Sequence, residues 1–195
     1  MTPEETKQIL TYLKVQYPKN FEHLKTDEDA RMYLAIWHDS FKNEDKRLVQ
    51  AAVKKCVDEN TTQYAPTIGQ IRNKMVDLTN TGGMDAEEAW NMARRFWSSI
   101  PSDNAWEIEE DWRKLPESIR RIYSPADMVE LGFRTNSHDI TAYEKPRFLK
   151  QWAGIKANER TKVLESKSIS QIAMQQNGYL LPEDKDERLL KYADG

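Results

Sequence analysis

The sequence marks the beginnings of helices more clearly than any other feature of its fold. Thr2 is followed three residues later by Glu5, and Thr67, directly after Pro66, is followed three residues later by Gln70. A threonine hydroxyl at this position accepts a backbone N–H of the first turn, and the later side chain returns a hydrogen bond to the threonine. A chain with helix-start signals at these positions is constrained to build its core from short helices.

Apolar residues recur three and four positions apart after each of these starts, as one face of a helix requires. Thr26 begins a second helix with acids in its first turn, where they favour the helix dipole, and we place the start of a third at Asn43. The four predicted inner faces are Ile9, Leu10, Leu13 and Tyr17; Met32, Tyr33, Ile36, Trp37 and Phe41; Leu48, Val49, Ala52, Val53, Cys56 and Val57; and Ile68, Ile71, Met75 and Leu78. Short amphipathic helices are unstable alone, so residues 1–78 are predicted to form a four-helix bundle.

The second part of the chain also has helical periodicity, and no strand-length alternation occurs in the sequence. Residues 79–84, with two adjacent glycines, are the predicted linker; residues 85–164 are a second helical domain; residues 165–195 are a helix followed by a polar tail. Gly132 is expected to end one short helix, and Pro146 either begins or kinks a longer one that reaches Leu164. The predicted fold class is all-α.

Composition and motifs argue against most enzymes, cofactors and membrane roles. The net charge is −3, and residues 1–80 carry 12 basic and 12 acidic side chains, so direct DNA binding is expected to be weak or absent. The sequence has no Gly-Lys-Ser or Gly-Lys-Thr, no Gly-x-Gly-x-x-Gly and no zinc-ligand spacing, so we expect no cofactor and no catalytic site. A lone cysteine, an acidic N-terminus and the lack of a long apolar run favour a cytoplasmic protein.

A few residues have a functional and a structural interpretation. His38 is either a base oriented by Asp39 or a solvated histidine, and Cys56 is either a nucleophile or a packing residue. The segments 93–97 and 145–152 place Arg94, Arg95, Arg147 and Lys150 beside Phe96, Trp97, Phe148 and Trp152. Such pairs bind nucleic acid when the cations contact phosphates and the rings are free to stack on bases. When the rings are buried, they belong to the core and the cations form the solvent-exposed face of the helix.

The N-terminal pattern resembles a known family. It runs from "ILTYLKVQYP" through "AIWHDSFKNEDKRLVQAAVKKCV" to "YAPTIGQIRNKM". It is similar to the N-terminal domain of the phage helicase loader and inhibitor family, over about 78 residues. "DAEEAW", "LPESIRRI" and "RFLKQW" resemble, more loosely, the C-terminal extension of its longer members.

The resemblance implies a non-enzymatic adaptor of phage DNA replication. Such an adaptor binds the hexameric DnaB-type replicative helicase, inhibits it in solution and delivers it to an origin marked by a phage initiator protein. Its C-terminal part is expected to contact the helicase, through Leu189, Leu190 and Tyr192, or else the tail folds back onto the bundle. Five residues are read as structural: Trp37, Pro66, Thr67, Ile68 and Ile71.

Two alternatives remain from the sequence. The third and fourth helices could be a helix-turn-helix of a DNA-binding replication or transcription factor, with Gln70, Arg72, Asn73 and Lys74 reading bases. The other alternative is a structural or assembly protein without a role in replication.

Overall fold

The computed structural model describes residues 1–79, 84–100, 108–134 and 139–177. Within these ranges the chain forms ten α-helices, one short 3₁₀ helix at Pro18–Phe21 and no strand, which confirms the all-α prediction. The α-helices are α1 Pro3–Gln16, α2 Asp27–Phe41, α3 Lys46–Glu59, α4 Ile68–Thr79, α5 Ala86–Ser98, α6 Glu109–Arg113, α7 Glu117–Arg120, α8 Pro125–Arg134, α9 Asp139–Glu165 and α10 Ile169–Asn177. Residues 80–83, the greater part of the predicted linker, lie outside the described ranges.

The described residues divide into two compact units. Unit 1 combines residues 1–79 with residues 162–177, and unit 2 covers residues 84–161. The sequence patterns did not predict that a C-terminal segment joins the N-terminal bundle. Unit 1 is therefore discontinuous along the chain.

Unit 1 packs α1 to α4 and α10 around one apolar core. Trp37 and Phe41 come from α2, and the T-shaped pair of Phe21 and Tyr33 closes one side of the same cluster. From α10, Ile169 is fully buried in this cluster. The other buried members are Ile9, Leu13, Leu48, Val49, Ala52, Val53, Ile71, Met75 and Val76.

The helix boundaries differ from the predicted ones at three places. Helix α3 begins after Asp45, whose carboxylate accepts the Arg47 N–H at 2.9 Å, whereas Asn43 lies in the preceding turn. Helix α8 passes through Gly132 and ends at Arg134. Helix α9 starts at Asp139, so Pro146 lies inside the helix rather than at its beginning.

Unit 2 is built on a row of aromatic rings. Trp97 packs edge-on against Trp90 and Tyr123, with ring centroids 5.2 and 5.7 Å apart, and Phe148 stacks between Tyr123 and Trp152. Gly132 explains the close approach of α8 to α5, because a Cβ atom there would lie 2.8 Å from the Trp97 carbonyl oxygen. A side chain at position 132 would force the two helices apart.

Candidate partner-binding surfaces

The connection between α3 and α4 is held rigidly by one amide side chain. Asn60 donates from Nδ2 to the Tyr17 hydroxyl at 2.9 Å and to the Tyr64 carbonyl at 2.7 Å. Its Oδ1 accepts the backbone N–H of Thr62 at 2.9 Å. The loop therefore has a defined shape although most of its side chains are exposed.

Helix α4 starts with the capping box that Thr67 and Gln70 suggested. The Gln70 N–H donates to Thr67 Oγ1 at 3.3 Å, and the Thr67 N–H donates to Gln70 Oε1 at 2.8 Å. Pro66 is buried just before this cap, Ile68 is half-buried and Ile71 is fully buried. The corner thus positions α4 against the core of unit 1, where Trp37 is also buried.

An open polar groove of about 560 Å³ lies between α3, this connection and α4. Tyr64 stands at the groove with 63% of its surface exposed, and Cys56 lines its wall. The Lys74 ammonium lies 2.6 Å from Glu59, which holds the pKa of that carboxyl below and the pKa of the lysine above their ordinary values. Both groups stay charged near neutral pH, so neither is poised for acid–base catalysis.

Cys56 is a weakly acidic thiol in this groove. Burial raises its pKa, the charges of Glu59 and Asp77 raise it further, and only Lys74 acts in the opposite direction. Its Sγ–H donates to the Gln70 carbonyl at 3.8 Å. A thiol that resists ionisation is a poor nucleophile, in agreement with a packing role.

The Cys56 thiol is expected to react with iodoacetamide several-fold more slowly at pH 8 in the native protein than in urea. The raised pKa lowers the thiolate fraction in the folded state, and its cost to folding begins only as the pH passes the ordinary thiol pKa. Mass spectrometry of timed samples would follow the modification. Equal rates would contradict the burial of this thiol, and free cysteine in the same urea provides the control for reagent reactivity.

The four side chains that a helix-turn-helix would use for bases are engaged within the chain. Gln70 belongs to the capping box, and Lys74 pairs with Glu59. Asn73 donates to the Gly69 carbonyl at 2.9 Å, and Arg72 donates to three backbone carbonyls. Each of these side chains would have to give up an intramolecular contact to reach a base.

A buried carboxylate attaches the C-terminal segment to the N-terminal bundle. Glu44 is 4% exposed, and its oxygens accept the backbone N–H groups of Ile169 at 2.9 Å and Ser170 at 3.0 Å, together with the Ser170 hydroxyl at 2.7 Å. A weaker contact from the Ser168 hydroxyl spans 3.3 Å. The carboxylate thus caps the N-terminus of α10, where free N–H groups and the helix dipole favour an anion.

Arg72 completes this contact, which we call the Glu44 latch. Its guanidinium lies 3.7 Å from Glu44 and donates to the carbonyls of Leu164 and Ser166 at 3.0 and 3.1 Å. It also donates to Ser40 at 3.2 Å. One arginine on α4 thus binds the end of α2 and the turn before α10, and no local sequence signal predicted it because Ser40 is 32 residues away and the other two partners are more than 90 residues away.

The second helix does not bury all of the residues predicted for its inner face. Trp37 and Phe41 are buried as expected, whereas Met32 is 61% exposed and Ile36 is 53% exposed. These two predictions were wrong because Tyr33, Trp37 and Phe41 alone already fill the side of α2 that meets the core. The result is an exposed apolar stripe on a well-ordered helix.

The four aromatic residues predicted to lie beside the basic residues of unit 2 are not free. Arg94, Arg95, Arg147 and Lys150 are exposed. Trp97, Phe148 and Trp152 are buried in the core and Phe96 is packed against it. These four rings are thus unavailable for stacking on bases, which leaves the cations of the two segments 93–97 and 145–152 for contact with nucleic acid.

The described residues contain no cluster of side chains typical of a metal site. No group of three or more His, Cys, Asp or Glu residues within them could hold a metal ion. His38 is half-buried with Nδ1 3.4 Å from the Thr6 hydroxyl, and Asp39 pairs with Lys42 instead, at 2.6 Å. Within the same ranges no helix is long and apolar enough to cross a membrane. The three residues of the predicted helicase anchor, Leu189, Leu190 and Tyr192, lie outside the described residues.

Comparison with known proteins identifies the part of the chain that contains α1, α2, α3 and the Pro66–Ile71 corner. Residues 1–72 match the family model of the N-terminal domain of the phage gp39P helicase loader/inhibitor. This match relates the N-terminal part of the chain to the phage helicase loader and inhibitor family. No curated protein and no solved structure matches the chain. The loader/inhibitor N-terminal domain thus accounts for the bundle and its corner, but the match ends before α5 and includes neither unit 2 nor α10.

Proposed function

We propose that this chain is a non-enzymatic adaptor of phage DNA replication that binds a DnaB-type hexameric replicative helicase. In this proposal it keeps the helicase inactive in solution and loads it at an origin marked by a phage initiator protein, in the cytoplasm of the bacterial host. The match of residues 1–72 to the loader/inhibitor N-terminal domain is the observation that carries the proposal. The engaged side chains of α4 favour protein partners over DNA as the target.

Inhibition requires the adaptor to bind an inactive helicase conformation more tightly than the active one. Equal affinity for both would leave the equilibrium between the two conformations unchanged. We assign helicase contact to the tail, where Leu189, Leu190 and Tyr192 provide an apolar anchor of the kind that inserts into a groove. The bundle of residues 1–78 would then dock other replication proteins, and residues 79–84 would link it to the helical region of residues 85–164. Tail and bundle would thereby have separate partners.

The first test is co-elution of the chain with the cognate helicase on size-exclusion chromatography with light scattering, with and without ATP. A discrete complex is expected, and its absence in both conditions, with a folded hexameric helicase, would overturn the proposal. Salt-dependent gel shifts with origin DNA address the DNA-binding alternative, for which tight binding by this chain alone would be required.

Replacing Leu189 and Leu190 with serine is expected to weaken helicase binding by at least about 100-fold, because two buried leucines contribute roughly 1.5–3 kcal/mol each. The matched control is Glu183→Ser with Asp184→Ser, which changes two charged residues of the same tail. Isothermal titration calorimetry would give both affinities. Unchanged affinity in the leucine variant would exclude the tail anchor, and an equal loss in the control would show that charge rather than apolar contact binds the helicase.

A further inference from the structure

The exposed stripe of α2 has a defined shape and a defined charge at its ends. Met32, Ala35 and Ile36 are exposed and lie three and four residues apart, so they share one side of the helix. Glu28 and Asp39 are exposed one turn before and one turn after them. The surface is thus an apolar centre with Glu28 at one end and, at the other end, Asp39 in its ion pair with Lys42.

The tail of the same chain contains the complementary pattern. Residues 188–192 read Arg-Leu-Leu-Lys-Tyr, so that Leu189 and Leu190 lie between Arg188 and Lys191. Apolar side chains would meet the apolar centre of the stripe, and a flanking cation would meet Glu28 at one end. An opposite charge at that end also defines where along the helix such a segment docks.

The modest size of the stripe favours a tethered occupant over a separate protein. Stable complexes bury about 800 Å² on each partner, which is more than three side chains of one helix provide. A segment tethered to the same molecule has a millimolar effective concentration, so a weak contact is then sufficient. Here the contact would form within one chain.

The chain is long enough to make this contact. Helix α10 ends at Asn177 within unit 1, which also contains α2. Leu189 follows 12 residues later, and these residues span up to about 40 Å when extended. Arg72 binds both the Ser40 carbonyl of α2 and the turn before α10, so the C-terminal end of α2 lies close to the start of α10 and within this reach.

We propose that tail residues 188–192 dock on the apolar stripe of α2 in the free protein and leave it to bind the helicase. The regulatory half of this inference rests on the proposed function, because it assumes that the same leucines anchor the helicase. The docked state competes with helicase binding, and the apparent affinity falls in proportion to the fraction of free tail. A tail that is docked nine-tenths of the time would bind about tenfold more weakly than a free one.

The docking contact is tested without the helicase. The full chain would be labelled with ¹³C at its methionine methyl groups, and Met32 would be assigned from a Met32→Leu variant. The Met32 resonance is expected to move when Leu189 and Leu190 are both replaced by serine, whereas the resonance of Met128, fully buried in unit 2, is expected to stay. An unchanged Met32 resonance would overturn the docking contact.

The regulatory half is tested with the helicase. Replacing Met32 and Ile36 with serine should free the tail and raise helicase affinity about tenfold. Val15→Ser is the control, because Val15 is a similarly exposed apolar residue, 57% accessible, on α1 outside the stripe, and no change is expected there. A weaker affinity in the stripe variant would mean that the stripe itself binds the helicase and would overturn the inference.

The two sets of measurements separate this inference from the proposed function. If Met32 responds to the tail but the leucine variant binds the helicase normally, docking is supported, while the tail anchor and the competition are both excluded. If Met32 does not respond but the leucine variant loses the helicase, the proposed anchor is supported and the docking is excluded.

Discussion

Replacing Glu44 with alanine is expected to destabilise unit 1 by roughly 3 kcal/mol, the cost of leaving buried donors and the Arg72 guanidinium without their acceptor. Glu44 accepts hydrogen bonds from two backbone N–H groups and the Ser170 hydroxyl, and the carboxylate is almost completely buried. Amides of α10 should consequently exchange with deuterium about 100-fold faster, since every 1.4 kcal/mol is tenfold in the opening equilibrium.

Hydrogen exchange read by mass spectrometry would check this prediction peptide by peptide. The matched control is Glu22→Ala, which removes an exposed carboxylate from the same unit and should leave the exchange of α10 unchanged. Unchanged exchange of residues 169–175 in the Glu44 variant would show that the latch does not hold α10. A Glu44→Gln variant keeps one acceptor oxygen but loses the charge, and we expect it to lie between the alanine variant and the natural chain.

The second large effect is expected in unit 2, where Trp97→Ala should cost roughly 3–5 kcal/mol. Trp97 is 1% exposed and packs against both Trp90 and Tyr123, so its removal leaves a large cavity in the aromatic row. Met128 and Leu131 of α8 belong to the same buried cluster as Trp97 of α5. The loss should therefore reach both α5 and α8.

Urea unfolding monitored by hydrogen exchange would show which unit loses stability. Peptides from α5, α8 and the part of α9 in unit 2 should lose protection, whereas peptides from α1 and α3 should keep it. Asn91→Ala is the control, since Asn91 is exposed on the same helix and should change stability little. Equal losses in both units would show that they unfold as one cooperative body and would contradict two separate cores.

The two units differ in whether a charged side chain is buried in them. The pKa of Tyr123 is raised, first because the hydroxyl is buried and then because the Glu144 carboxylate lies nearby. Such a hydroxyl stays protonated throughout the physiological range, so it supplies neither a base nor a charge there. Unit 2 is thus held by ring packing, whereas the latch of unit 1 depends on a charged group.

The helix starts and the principal apolar faces were predictable because their signals are local. A capping box spans three residues, and the inner face of a helix repeats within four. Thr2 with Glu5 and Thr67 with Gln70 both form the expected hydrogen bonds. The resemblance to the loader and inhibitor family was equally accessible, since the pattern that ends in the Pro66–Ile71 corner lies within the matched residues 1–72.

The sequence by itself thus determined that the chain is helical, where most of its helices begin and which family its N-terminal part resembles. Only the tertiary structure decided that residues 162–177 join the N-terminal unit, that Glu44 and Arg72 hold them, and that Met32 and Ile36 remain exposed. The physical reason is the distance along the sequence over which the interactions act. Hydrogen bonds between residues more than 90 positions apart produce no periodic pattern in the sequence. A helix with several apolar positions likewise does not specify which of them its neighbours will cover.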